Sequence, residues 1–270
     1  MYAVELAHET DLEGWRAGAR ALRLAEIPPD QVTWRVGPAS GLFEGAAPPK
    51  PPVGAGFPAP PGLFDLAQEV ILNRDPMRFD LLYRLLWRAR ETPRLVEIFT
   101  DPDVRRAEIL RRQVREAVHK MHAFVRFRRI DAADAPETYL AWFEPPHRVL
   151  ARGVGFFVDR MANLRFSILT PDACAHWNGE GLSFAPGVEA PPDRAEDEWE
   201  DYWRIYFASV FNPARLNPDV MTQHMPRRYW RNLPEAEVIE GLVTSAQGRT
   251  DAMVRAGPSR PSARARRRTV

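Results

Sequence analysis

From Ala46 to Pro61 the chain packs seven prolines into sixteen residues with no hydrophobic period. Proline fixes φ and removes a backbone donor, so neither a helix nor a central strand crosses such a stretch. Residues 38–62 therefore read as a semi-extended linker or surface loop, and the regular elements must organise on either side of it. The rest of the 270-residue chain is ordinary for a folded protein, with 45% hydrophobic and 27% charged residues. Cys174 is the single cysteine, which rules out an internal disulfide framework and predicts a reducing, cytoplasmic setting. No apolar run reaches the length of a membrane span, and Met1–Leu6 lacks the basic start of a secretory signal.

Before the proline-rich stretch, the pattern predicts a strand over Tyr2–Leu6, a helix capped by Asp11 with Trp15, Ala19 and Leu22 on one face, and a strand over Val32–Val36. After it, Leu63–Asn73 reads as a helix. A second helix follows Pro76 and is apolar on most sides, which predicts burial. A third opens at Pro102 with Ala107, Leu110, Val114, Val118 and Met121 inward, leaving Arg105, Arg112, Arg115 and His119 on a basic outward face. Strands are expected over His122–Ile130 and Thr138–Glu144, joined by a polar stretch, then a helix over Arg148–Asn163. Further strands are expected at Phe166–Thr170 and Leu182–Phe184, and helices over Glu196–Phe211 and from Pro234. Long helical runs around adjacent strands predict an α+β fold, mostly helical, as a single domain around a small antiparallel sheet. The expected organisation is an N-terminal strand-helix-strand segment, 1–37, packed on a main domain, 63–256, with a disordered Arg-rich tail, 257–270.

The net charge of +1 conceals separated blocks. Arg105 to Arg129 holds nine basic and two acidic residues, Asp193 to Asp201 holds six acids against Arg194, and the tail after Asp251 holds six arginines. Only Lys50 and Lys120 are lysines. Arginine suits phosphates and carboxylates, although the same bias also follows from genomic base composition. The phosphate-binding loop, dinucleotide fingerprint, zinc helix, paired Cys-x-x-Cys and nucleophile elbow are all missing, so no cofactor and no metal are expected.

Three constellations remain. His119 and His122 are three apart, which suits a metal or a general base, or else a cationic helix end favoured by the helix dipole. The expected strand Ala123–Arg129 alternates, sending Phe124, Arg126 and Arg128 to one face. Such a face either stacks a base and holds phosphates or pairs with the acidic block. Asp172, Cys174 and His176 alternate too, giving a Cys/His pair or simple packing of a small thiol. Trp199, Tyr202, Trp203 and Tyr206 follow helical spacing, as core or as stacking platform. Arg215, Arg227 and Arg228 add basic-plus-aromatic turns.

Five stretches occur in one order: His119–Arg128, Ala141–Pro145, Ser167–Asp172, Phe211–Leu216 and Tyr229–Ala236. In them the chain resembles a bacterial domain-of-unknown-function family described as probable DNA metabolism or DNA repair proteins. Trp15-Arg16 and Ala19-Arg20, ahead of Pro28-Pro29 and Trp34, resemble versions fused to a uracil-DNA glycosylase-type domain. Phe166, Asn178 and His224 depart from the pattern, which has tryptophan, aspartate and an acid there. The resemblance implies a DNA-repair setting, beside a uracil-DNA glycosylase-type domain or a radical SAM repair protein, and supplies no reaction.

The expected function is thus a nucleic-acid-binding accessory domain, with DNA held by Arg112, Arg115, His119, Lys120, Phe124, Arg126, Arg128, Arg215, Arg227 and Arg228. The alternatives are a protein adaptor for such a repair enzyme, or an enzyme on damaged bases using His119, His122, Glu144 and Asp172.

Overall fold

The computed structural model describes residues 1–37, 45–51, 56–58, 60–130, 137–189, 218–234, 236–246 and 255. The chain divides into two compact units, one of Met1–Ala123 with Pro145–Met161, the other of Phe124–Glu144 with Ala162–Val270.

The first unit begins with β1 (Tyr2–Leu6), α1 (Leu12–Leu24) and β2 (Val32–Val36). Asp11 caps α1 by accepting from the Gly14 amide at 2.8 Å. The two strands pair in parallel, Tyr2 opposite Val32, as a crossover through a helix allows. Next come α2 (Leu63–Val70), α3 (Arg78–Arg88) and α4 (Pro102–Phe124). Asp101 caps α4, its Oδ1 accepting from the amides of Asp103 and Val104, and Pro102 occupies the first turn, where its missing N–H costs nothing. One core unites these elements: Val4, Leu6, Trp15 and Leu22 pack with Leu66, Phe79, Leu82, Tyr83, Val104 and Leu110. As its composition predicts, α3 is buried on most sides; Leu81, Tyr83 and Leu85 are enclosed along with Phe79 and Leu82.

The expected helix over Arg148–Asn163 is instead two short pieces, α5 (Leu150–Gly153) and α6 (Gly155–Arg160). Gly153 explains why this segment lies so close to α4. A Cβ there would meet Met121 Sδ at 2.7 Å, and the Gly153 carbonyl accepts from His122 Nε2 at 3.0 Å.

That contact also accounts for the largest departure from the sequence reading. α4 runs through Phe124, and the strand expected from His122 is only β3 (Arg128–Ile130). His122 is stacked on Phe156, with ring centroids 4.3 Å apart, and edge-on to Phe157. These partners are remote in sequence and hold the last helical turn against local strand propensity.

The second unit is built on a five-stranded sheet of β3, β4 (Thr138–Trp142), β5 (Arg165–Leu169), β6 (Ala173–Trp177) and β7 (Leu182–Pro186), in that spatial order. The fold class is α+β as expected, but the sheet is mixed. β4 and β5 are parallel, and the other neighbours are antiparallel. Ala141, Phe166, Ile168 and Ala175 are buried, and Phe166 meets Phe127 edge-on. A turn joins β6 to β7, where Asn178 Oδ1 accepts from the amides of Glu180 and Gly181 and Gly179 takes φ 96°. An amide oxygen thus makes the turn where the resembled pattern has a carboxylate. Farther on lie α7 (Pro218–His224), a 3₁₀ turn at Arg227–Asn232 and α8 (Ala236–Thr244), with Ile239, Leu242 and Ala246 buried. The expected helix over Glu196–Phe211 with its aromatic stripe, the acidic block, the polar connection before Thr138 and the tail lie outside the described residues.

Candidate nucleic-acid interface

The structure sorts the arginines of α4 by whether an acid lies within reach. Arg106 pairs with Asp75, Arg111 with Glu108 at 2.7 Å, and Arg115 grips both oxygens of Glu69 at 2.6 and 3.1 Å. The Glu69 hydrogen bond holds the Arg115 guanidinium above its ordinary pKa, and Arg152 approaches the same carboxylate. Lys120 is buried at 6% exposure, where a hydrated ammonium cannot meet a phosphate in solvent. Arg115 is thus engaged by an acid and Lys120 is enclosed, in contrast to the exposed cations of the same helix. Arg105 and Arg112 are exposed and have no ion-pair partner among the described residues. His119 is exposed as well. Arg105, Arg112 and His119 are seven residues apart, so they drift by only ~20° per step and form one line along the helix.

In the second unit, the alternating strand face on which Phe124, Arg126 and Arg128 were to act together does not form. Phe124 ends α4, Arg126 lies in the following loop, and only Arg128 is in β3. Phe124 already stacks on Tyr229 at 5.2 Å, and Tyr229 stacks on Phe143 at 5.3 Å. Its ring is occupied by the protein rather than offered to a base. Arg126 Nη1 donates to the Val125 carbonyl at 3.2 Å. Arg228 is exposed, lies 4.9 Å from the Tyr229 ring and donates to its hydroxyl, while Arg227 lies 5.5 Å from the ring of Trp230. Arg215 lies outside the described residues.

The four acid-base candidates are divided between the two units. His119 and His122 belong to the first unit, Glu144 and Asp172 to the second. His122 is committed to Gly153 and Phe156, and the described residues contain no group of three potential metal ligands. Cys174 is buried at 2%, as a packed small thiol would be.

One polar pair escapes sequence reasoning. Pairing places Arg128, Leu140, Ser167, His176 and Ser183 in one row across the sheet, and Ser167 Oγ shares a 2.7 Å hydrogen bond with His176 Nδ1. Nine residues separate the two, and only the β5–β6 register, which no local signal specifies, brings them together. No other side chain among the described residues hydrogen-bonds the imidazole, so a third, orienting group is not in place and the pair serves as a cross-strand link. The basic line on α4 is thus the described feature best suited to binding a polyanion.

A family model described as a domain of unknown function, DUF4130, matches residues 76–235, more than half of the chain. The chain belongs to that family. No curated protein and no solved structure matches it.

Proposed function

Taking the chain as a member of the DUF4130 family, we propose that it is an accessory domain of DNA metabolism that holds nucleic-acid backbone on the outward face of α4. The observation that carries this reading is the line Arg105–Arg112–His119, whose two arginines face solvent with no acid paired to them among the described residues. Successive members are about 10 Å apart along the axis, comparable to three phosphate steps along one strand of a duplex. A rigid helix presenting charges at that interval needs little reordering on binding. Arg227 and Arg228 form a second, smaller basic site beside Trp230 and Tyr229.

The contacts are to phosphates, so the binding is sequence-tolerant and salt-dependent. The repair setting, and a uracil-DNA glycosylase-type or radical SAM partner, enter through the five resembling stretches. The test is fluorescence anisotropy of labelled single- and double-stranded DNA over a salt series, with the full chain and with Arg105→Ala/Arg112→Ala. Binding that weakens with salt and is lost in the double variant is expected. Equal affinity for both proteins removes α4 from the account.

A further inference from the structure

Two phenylalanines stand side by side on α6, where successive side chains point about 100° apart. Phe157 takes the inward place at 5% exposure, and Phe156 is left 40% exposed. A lone exposed phenylalanine is ordinary, so the surroundings of this one carry the argument. One face of its ring lies on the His122 imidazole, with centroids 4.3 Å apart and planes inclined by 20°. His122 is held in turn by the Gly153 carbonyl at 3.0 Å and by an edge-on contact with Phe157. The Phe156 ring is thus fixed from behind and needs little reordering to receive a flat partner. Arg160 is exposed, has no ion-pair partner among the described residues, and lies 6.0 Å from the Phe156 ring centroid. Two stacked contacts of about 3.5 Å each need about 7 Å. A displacement of about 1 Å by that exposed side chain therefore admits a flat ring between Phe156 and Arg160.

We propose that Phe156 is a stacking platform for an unpaired nucleic-acid base. The proposal rests on the reading of α4 as the backbone grip, and it names the form of nucleic acid that the grip serves. His122 follows His119 by three residues, about 4.5 Å along the axis and about 60° round it. The platform therefore stands at the C-terminal end of the line Arg105–Arg112–His119. Inside a duplex each base is covered on both faces by its neighbours, so only an unpaired base offers a free face to the ring. An apolar peptide would use the ring and waste the guanidinium, and an acidic one would do the reverse. A nucleotide of a single strand uses both, its base on Phe156 and Arg160 and its phosphates on α4.

The test is fluorescence anisotropy of the full chain with a single strand and with the corresponding blunt duplex, each over a salt series. Phe156→Leu keeps apolar bulk on His122 and removes the ring. It should weaken single-strand binding about tenfold and leave duplex binding within about twofold. Its single-strand salt slope should stay within about 0.5 of the parent, since no cation is lost. Phe156→Trp, which restores a larger π-face, should hold single-strand affinity within about twofold of the parent. Arg160→Ala leaves the packing on His122 untouched and should weaken single-strand binding about threefold. Phe99→Leu, at an exposed ring near the other end of α4, should change nothing beyond about twofold. A melting curve for each variant confirms that it is folded. Full single-strand affinity in Arg160→Ala or in folded Phe156→Leu, or equal losses on strand and duplex, would overturn the platform. If Arg105→Ala/Arg112→Ala still weakens both forms, the α4 reading survives that failure. A parent chain that binds neither form overturns both. A loss in Phe156→Leu confined to the single strand, with the double arginine variant unaffected, would overturn the α4 reading and keep the platform.

Discussion

Arginine does opposite work on the inner and outer sides of the helical unit. Arg78 is 3% exposed, and its guanidinium donates to the carbonyls of Ile71, Asp75 and Glu9 while pairing with the Glu9 carboxylate. Arg88 forks between Asp101 and Asp103 at the start of α4. Those arginines tie loops and helix ends to the core. Arg105 and Arg112, on the far side of the same helix, tie down nothing among the described residues. The residue type is the same throughout, and the neighbouring acids and carbonyls set the role. Net charge along the sequence therefore overstates the unpaired charge on α4, because half of its six lysines and arginines are paired with named acids.

This contrast can be broken most severely at Arg78. Arg78→Ala should destabilise the protein by about 3 kcal/mol, since it strands three carbonyl acceptors and a carboxylate around a buried space. Urea unfolding gives the value, and a loss under about 1 kcal/mol would remove Arg78 from the structural class.

Asp101 comes next. Asp101→Ala loses both the cap of α4 and the partner of Arg88, for about 2 kcal/mol by the same measurement.

Its pH dependence is a separate, smaller prediction. Hydrogen bonding to Arg88, with help from the Val104 and Asp103 amides, holds the Asp101 carboxyl below its ordinary range. A folded-state pKa lower than the unfolded one stabilises the protein above about pH 4. That stability drains as pH falls through the folded value. Asp101→Asn should therefore flatten the acid limb of the stability curve below about pH 4 relative to the parent. An unchanged limb would show that the fork does not tune the carboxyl.

The smallest stability effect belongs to Arg105→Ala/Arg112→Ala, expected within about 0.5 kcal/mol of the parent. A larger loss would mean that these side chains belong with Arg78 after all.

Much of the helical unit was legible because its signals are local. Asp11 and Pro102 mark helix starts, and the stripe through Ala107, Leu110, Val114 and Met121 marks the buried side of α4. Two strands, Tyr2–Leu6 and Val32–Val36, fall where the alternation places them. The failures are tertiary. His122 and Phe124 read as strand until Gly153, Phe156 and Tyr229, all distant in sequence, hold them otherwise. The parallel pairing of β4 with β5 has no sequence signature either, because period-two alternation is the same in either direction. On α4, Arg112 was visible as an outward cation. That Arg115 is consumed by Glu69 required a contact spanning 46 residues.

The most direct test of the central claim sets two double variants of one helix against each other. Arg105→Ala/Arg112→Ala removes exposed arginines with no described acid partner, and Arg106→Ala/Arg115→Ala removes ion-paired ones. The slope of log affinity for duplex DNA against log salt is then measured for each. The account predicts that the first variant lowers the slope by about two, close to one per lost phosphate contact, and that the second leaves it within about 0.5 of the parent. Equal slopes for the two variants, or a larger loss in the second, would contradict it.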